Sequence, residues 1–312
     1  MVHQRRLRFG AQISFAASAQ DWVAKARRVE ELGYATLCVP DHFDDQLAPF
    51  PALVAAAAAT STLRVGTMVL DNDYRHPLVA AKEAATVDLL SGGRLELGLG
   101  AGWLTRDYEQ SGIACDPAAV RIDRLEEGVA VIKGLLAGGR FSFAGSHYTV
   151  TGHPGTPRPV QWPRPPILIG GGGRRVLSLA GREADIVSVN FDLRSGSIGP
   201  QVGATATAAA TAEKLRWVRE AAGDRADDIE LSHTVYLSMV TDDREAAAGG
   251  LGVGFGLSAE EVLSMPNFAI GTVTEIADEL ERRRDELGFS YVVVGGECYE
   301  AMAPVVARLA GA

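Results

Sequence analysis

The chain has 312 residues, with 30 Lys+Arg against 39 Asp+Glu for a net charge of −9, 47% apolar and 22% charged. This is the composition of a foldable, soluble, globular protein, long enough for one large α/β barrel or two ordinary domains. It excludes the basic face of a nucleic-acid binder, while three scattered cysteines (Cys38, Cys115, Cys298) exclude a disulfide scaffold or a cysteine-built zinc site.

In chain order, the hydrophobic period keeps switching between strand and helix. Leu7 to Ile13 alternates as a strand, Asp21 to Leu32 has helical spacing, and Gly33 is a natural stop. Ala35 to Val39 is a short buried strand, Phe50 to Ala59 an Ala-rich helix and Leu63 to Leu70 a strand. His76-Pro77 starts a helix that stops at Ser91-Gly92-Gly93, and Arg94 to Leu99 alternates again. Val120 to Leu136 is an amphipathic helix, and Pro166 to Ile169 is a strand followed by four glycines and a helix to Ala180. Ala184 to Val189, Ile229 to Met239 and Tyr291 to Val294 read as strands, with helices over Ala212–Ala221, Val273–Leu287 and Ala301–Leu309.

Eight strands alternating with helices imply a parallel sheet covered by helices, and in about 300 residues a (β/α)8 TIM-type barrel fits better than an open doubly wound sheet. The first strand–helix unit lacks G-x-G-x-x-G, and the near match Gly98-Leu99-Gly100-Ala101-Gly102 lies on the fourth strand. One domain is expected over residues 1–312. Insertions near 103–117, 139–162 and 195–212 should stand on the C-terminal face, the last a charge-free segment suited to a mobile lid. The longest apolar run, Phe50 to Ala59, is about half a membrane span, and the charged N-terminus leads into no apolar stretch, so a cytoplasmic protein is expected.

Several residues at that face carry chemistry. Asp41-His42 follows the second strand and reads either as an acid–base pair, with His42 moving the proton, or as a capping Asp beside a surface His. Gly66 and Thr67 allow close backbone approach on the third strand, and Gly98, Gly100 and Gly102 suggest a ligand at the rim, with Trp103 stacking on it or covering it. Gly170-Gly171-Gly172-Gly173-Arg174-Arg175 opens a helix, so bare amides and a helix N-terminus make an anion site. From 151 to 182 there are five Arg (Arg158, Arg164, Arg174, Arg175, Arg182) and no carboxylate, a run that calls for an anionic partner. Asn190 and Asp192 end the sixth strand and read either as polar groups reaching the same rim or as loop polar residues. Walker A, H-E-x-x-H, G-x-S-x-G and clusters with metal spacing are missing, so no metal is expected.

Taken together, Val39-Pro40-Asp41-His42, Leu63-Arg64-Val65-Gly66-Thr67, Asn72-Asp73-Tyr74-Arg75-His76-Pro77, Leu90-Ser91-Gly92-Gly93-Arg94, Gly98 to Trp103, Pro166 to Gly173 and Glu183-Ala184-Asp185-Ile186-Val187 resemble the luciferase-like monooxygenase superfamily, and within it the actinobacterial branch of F420-dependent oxidoreductases. The resemblance implies a (β/α)8 barrel using coenzyme F420 or, alternatively, FMN. It places the ring at the mouth against Thr67, Met68 and Val69, with a non-proline cis peptide near Met68-Val69, and with Asn72, Gly100, Ala101, Gly102 and Asn190 around it. Gly170 to Gly173, Arg174 and Arg175 match the phosphate loop, and Asp41 and His42 match a catalytic pair. Some sugar-phosphate dehydrogenases of this branch place a catalytic glutamate two residues after the glycine that corresponds to Ala101-Gly102, or nearby. Here the chain reads Trp103-Leu104-Thr105, which favours hydride transfer to an activated C=C or C=N of a small molecule. The alternatives are an FMN-dependent monooxygenase, a flavin-binding protein without turnover, or a hydrolase using Asp41 and Glu96. The resemblance also implies a homodimer.

Overall fold

The computed structural model describes residues 5–197 and 199–311. The first half of the chain forms β1 (Arg8–Gln12), α1 (Ala19–Glu31), β2 (Thr36–Val39), α2 (Pro49–Ala59), β3 (Arg64–Thr67), β4 (Leu70–Asp71) and α3 (Pro77–Ser91). It continues through β5 (Leu95–Gly100), α4 (Thr105–Ser111), α5 (Ala118–Leu136), β6 (Phe141–Ala144) and β7 (Thr149–His153). The second half holds β8 (Ile167–Gly171), α6 (Arg174–Glu183), β9 (Ile186–Val189), α7 (Pro200–Gly203), α8 (Ala208–Ala222), β10 (Glu230–Val235) and β11 (Leu237–Val240). It ends with α9 (Arg244–Phe255), α10 (Ala259–Ser264), β12 (Phe268–Gly271), α11 (Val273–Leu287), β13 (Phe289–Gly295) and α12 (Tyr299–Leu309).

The parallel strands β1, β2, β3/β4, β5, β8, β9, β10 and β13 close into the eight-stranded barrel expected from the sequence, with β13 pairing back to β1. β3 and β4 are two halves of one strand and both pair with β5. Strands enclosed on both faces read as continuous apolar runs, and every residue of β2, β9 and β13 is buried. Helix ends follow local chemistry. Thr272 and Glu275 form a reciprocal capping box on α11, and Gly288 closes that helix at φ 89°, where a Cβ would be strained.

The N-terminal end of the barrel is plugged by charge. The Arg8 guanidinium donates to Glu230 and Glu96 at 2.7 Å and lies 3.5 Å from the centroid of the Tyr291 ring, while Arg64 donates to the same Glu96 oxygen at 2.8 Å. Glu96 therefore neutralises arginines at the opposite end of the barrel from Asp41. The hydrolase alternative, which needs both carboxylates at the mouth, is excluded.

Two predicted elements change. The strand expected over Ile229 to Met239 breaks at Tyr236: β10 stays in the barrel, and β11 leaves it to pair with β12. The segment 195–212 contains α7 and the start of α8. It is no free loop, since Val202 and Ala206 are buried in a second apolar cluster with Ala248, Val262, Met265 and Phe268. Residues 1–4, 198 and 312 of the expected domain and its insertions lie outside the described residues.

Candidate active site

A cavity of about 470 Å³ opens at the C-terminal mouth, a size that holds a cofactor and a small partner. Its floor is built where β3 hands over to β4. The Met68–Val69 peptide is cis, and the Met68 carbonyl accepts from Gln12 Nε2 at 3.0 Å. Both residues line the cavity.

The glycines around this floor serve the protein's own packing first. A Cβ on Gly98 would lie 2.0 Å from the Thr67 carbonyl oxygen, and one on Gly100 would lie 2.6 Å from Val69 Cγ2. Gly102, at φ 72°, is pressed by the Tyr108 hydroxyl and the Asp71 carboxylate. Gly172 passes so close to the Phe191 carbonyl that a Cβ would fall 1.7 Å from its oxygen. The alternating glycines of β5 thus admit the 68–69 segment, which corrects the expectation that a ligand alone explains them. Gly100, Ala101, Gly102 and Gly170 to Gly173 nevertheless line the cavity.

At one end stands His42, directly after β2. Its Nδ1 is 2.6 Å from Asp107 Oδ2, and Asp107 is wholly buried on α4. The Tyr74 hydroxyl donates to the same oxygen at 3.2 Å. A carboxylate only accepts, so Nδ1 carries the proton and Nε2 is the nitrogen left for the cavity that His42 lines. Trp103 meets the imidazole edge to face, with ring centroids 5.7 Å apart. Asp107 is beyond a motif reading that stops at Thr105. The signal that would have found it is its place in the first turn of α4, which returns the chain toward β2.

Asp41 also lines the cavity, but it is tied down. Both oxygens accept from Arg75, at 2.6 and 3.1 Å, and one accepts the Asp71 amide at 3.1 Å. It fixes the turn after β4, and the acid–base pairing expected for it with His42 is replaced by Asp107.

Two other expected ring contacts lie elsewhere. Thr67 is buried away from the cavity, with its hydroxyl bonded to both the amide and the carbonyl of Gly98 at 2.8 Å. Asn72 faces α5 and the hairpin, where Nδ2 donates to the Tyr148 hydroxyl at 3.0 Å and Gly128 leaves room for it. Asn190 does line the cavity, and it donates to the Tyr236 hydroxyl at 2.6 Å. Tyr236, which stacks on Phe191 at 5.4 Å, is visible only once β10 is seen to end at Val235.

At the other end the first turn of α6 begins at Gly173, and no side chain caps its amides. Arg174 lines the cavity, and no carboxylate pairs with it among the described residues. The rest of the arginine run is largely neutralised in place: Arg164 pairs with Asp185, Arg175 with Asp123 and Arg182 with Glu126. The run as a whole is no anion site, and Arg175 is held against α5, where it also donates to the Ala119 carbonyl at 2.9 Å. What remains is Arg174 beside a bare helix N-terminus.

Residues 5–251 match the family described as Luciferase-like monooxygenase. The chain belongs to the luciferase-like monooxygenase family. This luciferase-like chain is 30% identical to the F420-dependent glucose-6-phosphate dehydrogenase of Amycolatopsis mediterranei over 94% of its own length and 88% of that protein. It is 33% identical to the FMNH(2)-dependent dimethylsulfone monooxygenase of Pseudomonas putida over 42% of its length and 36% of that protein. The coenzyme F420 dependent tetrahydromethanopterin reductase of Methanopyrus kandleri has the same fold, with a TM-score of 0.79 at 19% identity over 98% of each chain. No helix among the described residues is long and apolar enough to cross a membrane, and those residues hold no metal-ligating cluster.

The luciferase-like site also contains a carboxyl with a displaced titration. Burial, reinforced by Asp73, pushes Asp71 up to about 6, although Tyr108 and the Asp73 amide bond to it. The folded chain holds this proton more tightly than the unfolded one. The group therefore favours folding fully below about pH 4, and that contribution is lost as pH rises through about 6, a swing on the order of 3 kcal/mol. Asp71→Asn should change Tm by different amounts at pH 4.5 and 7.5, comparing best with wild type at the higher pH. An offset independent of pH in paired melting curves would contradict this.

Proposed function

We propose that this oxidoreductase uses coenzyme F420 and transfers hydride to an electron-poor C=C or C=N bond of a small molecule. The observation that carries the reading is the continuity of one cavity from the Asp107-held imidazole to the uncapped first turn of α6. The residues fit a flat ring with an anionic tail. Val69 and the glycine-bordered floor leave a shallow surface for the ring. Bare amides near Gly173 and the unpaired Arg174 suit the phosphate.

When bound, the reduced deazaflavin supplies a hydride. The chain's own contribution is to align the acceptor, exclude water and provide the accompanying proton. His42 delivers that proton from Nε2 as the imidazolium, protonated at both nitrogens, and returns to the neutral Nδ1–H form that Asp107 and Tyr74 hold in place. Hydride plus proton saturate one double bond, so no further base is required. Asp107 lies behind the imidazole instead of facing the cavity. This is consistent with reduction of a double bond and with the missing glutamate after Gly102.

The test is a fluorescence titration of purified protein with F420 and, separately, FMN. F420 should bind at least about tenfold more tightly. The opposite order would support the monooxygenase, a reading the Pseudomonas relative keeps in view. F420 binding without oxidation of the reduced cofactor by enones or imines would support a carrier.

A further inference from the structure

Resting on that function, we infer that the substrate is uncharged and apolar, and that Trp103 and Leu104 select it against phosphorylated or carboxylated compounds. Among the described residues, the basic side chains near the His42 end are already committed to partners within the chain, some to carboxylates and some to backbone carbonyls. Arg75 is held bidentately by Asp41. Arg121 lines the cavity but is 7% exposed, and it donates to the carbonyls of Ala101 (3.2 Å), Gly102 (2.5 Å) and Asp116 (3.0 Å). Lys214 is buried with Nζ on the carbonyls of Asn190 and Thr205, at 2.7 and 2.6 Å. Arg194, on the rim, is paired with Asp192 at 2.8 Å.

The carboxylates are less balanced. Among the described residues, Asp107 has His42 as its only basic partner, and its second oxygen is buried without a partner. Among the described residues, the Asp71 carboxylate bonds only to the Tyr108 hydroxyl and the Asp73 amide. An anion placed beside Nε2 would meet an imidazolium already offset by Asp107 and an Arg121 turned onto backbone carbonyls, so its dehydration would be poorly compensated. Arg174 is the exception among the described cavity arginines, and it stands at the α6 turn, where the cofactor's own phosphate is placed.

Trp103 packs edge to face on the His42 ring, and Leu104, next to it in the chain, adds an apolar side chain to the lining, with Phe191 and Leu193 contributed by the segment after β9. Two insertions hold it together. The Thr105 amide donates to the Gly196 carbonyl at 3.3 Å, and a Cβ on Gly196 would lie 2.0 Å from Thr105 Oγ1. The segments after β5 and β9 therefore meet over the cavity, bringing Trp103, Leu104 and Leu193 to its lining beside the paired Asp192 and Arg194. The Amycolatopsis relative acts on a sugar phosphate by name, so this chain would share its cofactor and differ in substrate charge.

The experiment uses protein loaded with reduced F420 and a matched pair of enones, 2-cyclohexenone and 4-oxocyclohex-2-ene-1-carboxylate, followed by cofactor absorbance. Oxidised-F420 protein is tested in parallel with glucose 6-phosphate. The neutral enone should have at least about a tenfold higher kcat/KM, and the sugar phosphate should not be oxidised. Where turnover is slow, the same pair is compared by the ligand-dependent rise in Tm of the loaded protein, with the same order expected. Leu104→Arg adds an unengaged guanidinium and should narrow or invert the preference. Equal or better use of the carboxylate, oxidation of glucose 6-phosphate, or a preference untouched by Leu104→Arg would overturn the inference. Failure of the cofactor proposal shows earlier, at the loading step. If FMN loads instead, the charge preference is read on that form.

Discussion

His42→Ala is expected to lower kcat by about two to four orders of magnitude while cofactor Kd stays within about threefold. The asymmetry follows from where the residue stands. His42 presents one nitrogen to the cavity and is tied to Asp107 by the other, while the α6 turn proposed for the cofactor's phosphate is at the far end. Losing the imidazole removes the proton donor and leaves the tail contacts intact. Asp107→Asn tests the partner. An amide both donates and accepts, so the imidazole is no longer held to the Nδ1–H tautomer, and kcat should fall with KM nearly unchanged. The pH–rate profile should shift as well, which a simple loss of packing would not cause. Turnover by His42→Ala equal to wild type in stopped-flow single turnovers would remove the proton role altogether.

Much of the architecture was legible because parallel strands and amphipathic helices have different periods, and eight such switches occur. The breaks are instructive. α9, with sequence REAAAGGLGVGF, carries too many glycines to read as a helix, yet its Gly252 lets the Leu257 carbonyl approach where a Cβ would be 2.2 Å away. Tertiary contact outweighed propensity there. The site was legible where a motif ends a strand, as at His42 and Gly170 to Gly173. It was not legible where the partner arrives from another element. Nothing local says that Asp41 will be claimed by Arg75, or that Asp107 will reach His42 across 65 residues. The arginine run misled for the same reason: its counterions, Asp123, Glu126 and Asp185, lie outside it in sequence. Local charge counts sum what the chain carries, whereas a site depends on what is left after long-range pairing.

Adjacent glycines in the α6 turn should respond oppositely to a single methyl group. Gly172→Ala would drive Cβ into the backbone of the 190–191 segment, with the Phe191 carbonyl oxygen at 1.7 Å, its carbon at 2.2 Å and the Asn190 oxygen at 2.7 Å. None of these is the end of a flexible side chain, so the two segments must separate. Overpacking of this kind costs about 1–3 kcal/mol, and Tm should fall by roughly 2–6 °C in a chain of this size. Cofactor affinity should fall with it, because the amides that would hold the phosphate move with Gly172. Gly173→Ala meets nothing closer than Asp192 Oδ2 at 4.0 Å, and its φ of −92° suits any residue. That variant should keep its Tm within about 1–2 °C, yet lose about tenfold in F420 affinity if the phosphate rests against that turn. The pair separates two roles for the same sequence motif: Gly172 is required by the fold, and Gly173 by whatever approaches the helix. Full F420 affinity in stable Gly173→Ala protein would place the tail somewhere other than the start of α6.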